Sequence, residues 1–464
     1  MHHQEAAMAQ DTWKWARTIR VKFAVAAAIA ISFLAALASW GGVVGRARLP
    51  AFWLGVAVLI AVLCGFAFAF WYLLVRPLPA SHKAPTAQRI KASYRQAIAL
   101  LLAIASITIV VGGFWDEVWH RRYGIPFGPD FFWRPHLLMY FGFLSVSALG
   151  FAGWYIIARQ MQGTFQQRFR AMPIIGLLVL LAAFLVYVLT ADPLWHAIYG
   201  PDLTAWSIPH VLLIVSFTTI MLIAATIQLS LVPVWEWRRL RRITLYDVLP
   251  LLMFACVMLA NLQLFTTEYD QIHSVNNRIL RARPEWVLPF MIGAVASLSG
   301  VLANHSLRAV GAATTAGLLA LGLRYALIET FDAEMLRVSA WMLALLPLLA
   351  IDLWYGYSVL RKRTPTWIGG GLAGAVGMLV AYPLLTQLYP QLVIANLPVM
   401  AVMVLVASVS ASWLGAQIGE NVANSNKQVE EGGVPVAVPL ASVGVLVVLA
   451  GFMLFFITTA TPPR

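Results

Sequence analysis

The sequence predicts an all-α, polytopic integral-membrane bundle, and three observations carry that prediction. Only 11% of the 464 residues are charged while 61% are hydrophobic, against about 25% charged in a soluble domain. So few charges do not cover a water-facing surface. Apolar runs of roughly 20 residues, the length needed to cross a hydrocarbon core of ~30 Å, recur along nearly the whole chain. The runs are too long for barrel strands, and in lipid each backbone polar group needs a partner within its own segment, which leaves helices.

Thirteen spans are expected, at about 21–43, 51–75, 96–118, 135–158, 172–191, 208–233, 246–266, 286–303, 306–327, 337–360, 367–388, 392–416 and 434–458. Only Ala303, Asn304 and His305 divide the eighth from the ninth. The expected organisation is a cytoplasmic N-terminal segment over 1–20, then two spans and a basic inner loop over 21–95. A four-helix unit over 96–233 follows, then six spans over 234–418, and a polar linker with a last helix over 419–464. The first nineteen residues are polar and no small-residue cleavage site follows the first apolar run, so no cleaved signal peptide is expected. Cys64 and Cys256 both fall inside expected helices, where they read as buried small hydrophobes.

Basic residues set the expected orientation. With the N-terminus inside, 21 of the 32 Lys and Arg fall on the inner side, including the run EWRRLRR. The net charge of +13 is then the positive-inside bias plus contact with anionic lipid, with no reason to invoke nucleic acid. The acids and histidines lean the other way. Asp116, Glu117, Asp130, Asp192, Asp202, His120, His136, His196, His210 and His273 all map to the outer side, which in a bacterial inner membrane faces the periplasm.

Two junctions gather these residues: GGFWDEVWHRRYGIPFGPDFFWRPHLL (Gly112 to Leu138) and ADPLWHAIYGPDLTAWSIPHVLL (Ala191 to Leu213). Asp116 precedes Trp119-His120 and Tyr123-Gly124, as Asp192 precedes Trp195-His196 and Tyr199-Gly200. Asp130 then matches Asp202, Trp133 matches Trp206, and Pro135-His136 matches Pro209-His210. Each copy ends one helix and starts the next, a parallel repeat of a helical hairpin whose two loops emerge on one face.

The spacing has a chemical consequence. Asp at i and His at i+4 share a helix face. Proline suits the first turn of the following helix and fixes the backbone just before the second His. Each hairpin thereby gathers one carboxylate and two imidazoles, a ligand set used by copper, non-haem iron and zinc. Asp116, His120 and His136 form one candidate metal site; Asp192, His196 and His210 form the other. Asp130 and Asp202 are candidates to orient a ligand from behind. The Trp residues suit the interfacial belt. A structural hydrogen-bond network and an ion or proton pathway are the competing readings of the same residues.

At these residues the sequence resembles the C subunit of copper membrane monooxygenases, the family of particulate methane and ammonia monooxygenases, over about 100–230. That subunit carries consecutive hairpin sites with an Asp or Asn, a His one turn on and a second His opening the next helix. The resemblance implies copper at both hairpins, dioxygen activation near one of them, and partner subunits in the membrane.

Elsewhere the signals are weaker. Glu268, Asp270 and His273 offer a conceivable third metal site, although a solvated loop explains them too. ALIETFDAEMLR reads as a mixed-charge outer loop in which Glu329, Asp332 and Glu334 meet Arg324 and Arg337. Asn261 and Gln263 are expected to hydrogen-bond between helices, and GGGLAGAVG (Gly369 to Gly377) reads as small-residue helix packing, not a phosphate loop. The functional expectation is a metal-binding, copper-favouring membrane subunit of an oxidoreductase, monooxygenase-like and acting on a small apolar substrate. A metal-ion transporter or delivery protein, or a non-catalytic accessory subunit, is the alternative.

Overall fold

The computed structural model describes residues 21–22, 24–29, 31–33, 36, 49–76, 90–123, 132–160, 163–199, 205–231, 243–266, 269, 283–333, 341–389, 395–424 and 437–461. These are helical apart from short connections, with no strand among them. From residue 49 the helices are α1 (Leu49–Phe70), α2 (Ala92–Tyr123), α3 (Arg134–Gln160), α4 (Phe165–Ala171), α5 (Pro173–Tyr199), α6 (Ile208–Leu229) and α7 (Val248–Thr266). There follow α8 (Val287–Leu307), α9 (Ala312–Thr330), α10 (Trp341–Leu360), α11 (Trp367–Val380), α12 (Tyr382–Leu388), α13 (Leu397–Asn424) and α14 (Ala437–Thr458).

Among the described residues ten helices are long and apolar enough to cross a membrane: α1 to α3, α5 to α8, α10, α13 and α14. The pair α11 and α12, bent by 45°, makes an eleventh when taken as one span. The chain is therefore an integral membrane protein. Two of the thirteen expected spans are not among these: α9 stands at the ninth position, and a shorter apolar helix, Ala24–Phe33, stands at the first.

Helices α2, α3, α5 and α6 pack as a ring, each against the next, and α7 closes one side of it. Helix α7 also packs on α8 and α9, so it is the wall shared with the second group of helices, α8 to α11 and α13. Within lipid there is no hydrophobic force between helices, so close approach depends on small residues. The α11 glycines supply it: a Cβ on Gly371 would lie 2.7 Å from Val409 Cα, and one on Gly377 would lie 2.6 Å from Pro347 Cα.

The expected break at Ala303, Asn304 and His305 is displaced. Helix α8 runs through all three to Leu307, and the chain turns at Arg308 and Gly311, with φ of 50° and 89°. A carboxylate on another helix makes the turn possible. Asp352 of α10 accepts from Gly311 N (3.0 Å) and from Asn304 Nδ2 (2.9 Å) through Oδ1, and from Thr314 N (2.7 Å) through Oδ2. It thus satisfies the free N–H groups that open α9, which lipid leaves without water.

Other expectations are corrected. Arg324 is not in an outer loop: it lies within α9, only 1% exposed, and donates to Gln263 Oε1 at 2.6 Å. Its guanidinium also sits 4.4 Å from the Trp341 ring centre, where the π-face offsets part of the cost of burying the charge. Cys256 is buried, but Cys64 is exposed on the outward side of α1. The polar linker expected from 419 starts later, because α13 continues to Asn424. Asn261 does bond between helices, to Thr218 Oγ1 at 3.0 Å.

Replacing Asp352 by Ala strands two part-buried N–H groups and a buried amide. The expected loss is about 1–3 kcal/mol for each donor left unsatisfied, read as a fall in the thermal unfolding midpoint in detergent. Asp352→Asn, which keeps one acceptor, is expected to lose less. Equal midpoints for Asp352→Ala and the parent would show that the turn does not need this cap.

Candidate functional site

The two hairpins present their ligands at the same helical positions. His120 stands three residues before the end of α2, and His196 three before the end of α5. His136 is the third residue of α3, and His210 the third of α6. Each second His follows a proline, Pro135 or Pro209, in the first turn of its helix. Each first turn closes with matching bonds, Leu137 N to Trp133 O at 2.9 Å and Val211 N to Ser207 O at 3.1 Å.

The side chains converge as the spacing predicts. In the first hairpin, Asp116 Oδ1 lies 3.4 Å from His120 Nε2 and 3.0 Å from His136 Nε2. In the second, Asp192 Oδ1 lies 3.6 Å from His196 Nε2 and 4.0 Å from His210 Nε2. All three donor atoms of each set lie within 4.8 Å of one another. The Oδ1 atoms of Asp116 and Asp192 are buried between their two imidazoles. Each set thus brings one carboxylate oxygen and two imidazole nitrogens close enough to share an ion.

The two sets are not equally enclosed. The His120, Asp116 and His136 side chains are 2%, 15% and 16% exposed. Those of His196, His210 and Asp192 are 13%, 20% and 30% exposed. Aromatic rings shape the difference. Trp133 stacks on His120 with centroids 5.2 Å apart, and Trp119 meets Trp133 edge-on at 5.7 Å. In the second hairpin the matching Trp206 turns away, donating Nε1–H to Leu264 O at 2.8 Å.

These tryptophans correct the belt expectation. Trp119, Trp195 and Trp206 are 7%, 8% and 1% exposed, so they pack the hairpins and do not face the lipid boundary. Asp130 and Asp202 lie outside the described residues, as do Glu268, Asp270 and His273.

Both sets open into one cavity of about 860 Å³. Asp116, His136, Asp192, His196 and His210 line it, with Glu117 and Gln263 as further polar groups. The walls away from the ligands are apolar, from Ile109, Phe143, Phe217 and Leu259 among others. No sequence motif announces this chamber. It forms only because α2, α3, α5, α6 and α7 close around it, and Glu117 and Gln263 join the site by that closure alone.

No protein-family model, curated protein or solved structure matches the chain.

Adjacent glycines in α2 test the geometry. A Cβ at Gly112 would meet Met139 Cγ at 2.7 Å and the Pro135 carbonyl at 2.9 Å, whereas one at Gly113 would meet only Met139 Sδ, at 3.7 Å. Gly112→Ala is expected to push α3 and His136 away from Asp116, at a cost of about 1–3 kcal/mol for overpacking. Gly113→Ala, which only narrows the cavity, is expected to leave the unfolding midpoint nearly unchanged. Equal midpoints for the two variants would contradict the close α2–α3 approach.

Proposed function

We propose that the chain is a metal-binding integral-membrane subunit of an oxidoreductase complex, monooxygenase-like, with copper as the favoured metal and a small apolar molecule as substrate. The observation that carries this reading is the pair of Asp-His-His sets facing one apolar chamber. The donor chemistry fits a metal ion. Two ligands about 2.0–2.1 Å from a tetrahedral ion stand roughly 3.3 Å apart, and the Asp-to-His separations here are 3.0 to 4.0 Å. A largely buried carboxylate beside two imidazoles offers one negative charge and two nitrogen lone pairs, which a cation takes up together.

In this reading the hairpins are a repeat, and they sit on the outer face. Helix α9 and the segment around Ala24–Phe33 complete thirteen spans. The residues divide the work. Asp116 and Asp192 supply charge neutralisation, and the four histidines supply directed nitrogen donors. Ile109, Phe143, Phe217 and Leu259 receive an apolar molecule from the membrane and keep water out. A bound copper ion supplies the redox chemistry with dioxygen. Iron and zinc accept the same ligands, and the resemblance of these residues to the copper membrane monooxygenases favours copper.

The apolar chamber weighs against a metal-ion transporter, since a permeating ion needs polar groups continuing through the bilayer. Beyond the ligands, Phe and Leu side chains line most of the chamber.

The test is metal content of the protein purified from its native membrane, beside His196→Ala/His210→Ala and His120→Ala/His136→Ala variants. The expected result is near-stoichiometric copper at each hairpin, lost at one hairpin per double variant. Acidification is expected to release it, because an imidazole must shed its proton to bind. Iron in place of copper would keep an oxygenase and remove the copper assignment. No bound metal would sink the reading.

A further inference from the structure

We propose that Arg134 is a positioning residue for His136, and that through it the C-terminal helix α14 governs metal retention at the first hairpin and not at the second. The proposal rests on the metal reading above. It starts from an asymmetry between two otherwise matching hairpins.

Arg134 opens α3 two residues before His136. Its Nη1 donates to Phe456 O at 2.9 Å and to Thr459 Oγ1 at 3.0 Å, both at the C-terminal end of α14. The guanidinium also lies over the Phe456 ring, 5.2 Å from its centre. Phe456 in turn meets Trp115 edge-on at 6.1 Å, and Trp115 is the residue before Asp116. The other helix of the hairpin carries a similar clamp. Arg122, two residues after His120, donates to Phe331 O at 2.9 Å and to the Asp332 carbonyl, at the C-terminal end of α9.

The physical logic is that of a helix C-terminus. Its last carbonyls lack intrahelical partners and carry partial negative charge, so a guanidinium there satisfies them and gains from the dipole. Two such ends, from α9 and α14, hold the two helices of the first hairpin in place. Met453 and Ile328 pack between them, against Phe114, Trp115 and Val118.

Helix α14 is mostly exposed, and besides the Arg134 end it is tied to α2 by Gln96 Nε2 donating to Ser442 Oγ at 3.2 Å. At the second hairpin the described guanidinium is that of Arg283, which lies over the Trp206 ring, 3.7 Å from its centre. This hairpin leans on α1, through Tyr199 OH to Ala51 O at 3.1 Å and through Trp195 against Gly55.

The experiment isolates each hairpin in the full-length chain. A His196→Ala/His210→Ala background leaves the first hairpin alone, and a His120→Ala/His136→Ala background leaves the second. Copper affinity by competition titration and the copper(II) EPR spectrum are measured with and without Arg134→Gln. Arg134→Lys, which keeps a cationic donor, serves as the conservative variant. In the first background Arg134→Gln is expected to weaken copper by about 10-fold or more and to change the spectrum, with substantial recovery in Arg134→Lys. In the second background neither variant is expected to alter affinity or spectrum. Unchanged first-hairpin binding, or equal weakening of both hairpins, would overturn the proposal. If Arg134→Gln does not fold, Phe456→Ala, which removes the ring beneath the guanidinium, takes its place: weaker copper at the first hairpin alone supports the proposal, and unchanged first-hairpin binding overturns it. Copper absent from both parent backgrounds would defeat the metal reading itself, and the proposal with it.

Discussion

Each hairpin is built around one close cluster: a carboxylate oxygen facing two imidazole nitrogens at 3.0 to 4.0 Å. Charged and polar groups at a membrane boundary are expensive unless something neutralises them. The fold does not let these groups relax outwards. The aspartates are fixed on long helices, and the second histidines follow proline in the first turn of the next helix. The helices that carry them are braced from the side, by Arg122 and Arg134 on one hairpin and by Tyr199 on the other. In the proposed reading, this cluster is what holds a cation.

The surrounding architecture has the opposite character. Helices α2, α3, α5, α6 and α7 enclose a chamber whose polar groups gather at the ligand end and whose remaining wall is apolar. One chamber faces both Asp-His-His sets, and the two are not equally open. The first set is nearly enclosed beneath Trp133, while the second is more open. The additional helices are not inert ballast beside this ring. Helix α7 joins the ring to the second group, and α14 reaches back to the first hairpin.

Much of this was legible in the sequence for a simple reason. Asp at i and His at i+4 must share a helix face, and a Pro-His pair must open a helix, whatever the rest of the fold does. The six residues Asp116, His120, His136, Asp192, His196 and His210 therefore meet where their spacing puts them. Features that depend on distant segments were not legible. Arg324 looks like a loop charge until Gln263 and Trp341 close around it. The tryptophans look like boundary residues until the hairpins pack on them. The turn after α8 fell at Arg308 to Gly311, because Asp352, some forty residues on, supplies the acceptors that hold it there. Apolar patterning places a helix but not its end, where one buried hydrogen bond decides.

The most direct test of the central claim is pulsed EPR on the full-length protein loaded with copper(II), reading the number of imidazole nitrogens coupled to each ion. Two histidines per copper at both hairpins is the result expected from this geometry. Copper held without imidazole, or coupled to a single one, would mean that the convergence of Asp and His side chains is a structural brace and not a metal site.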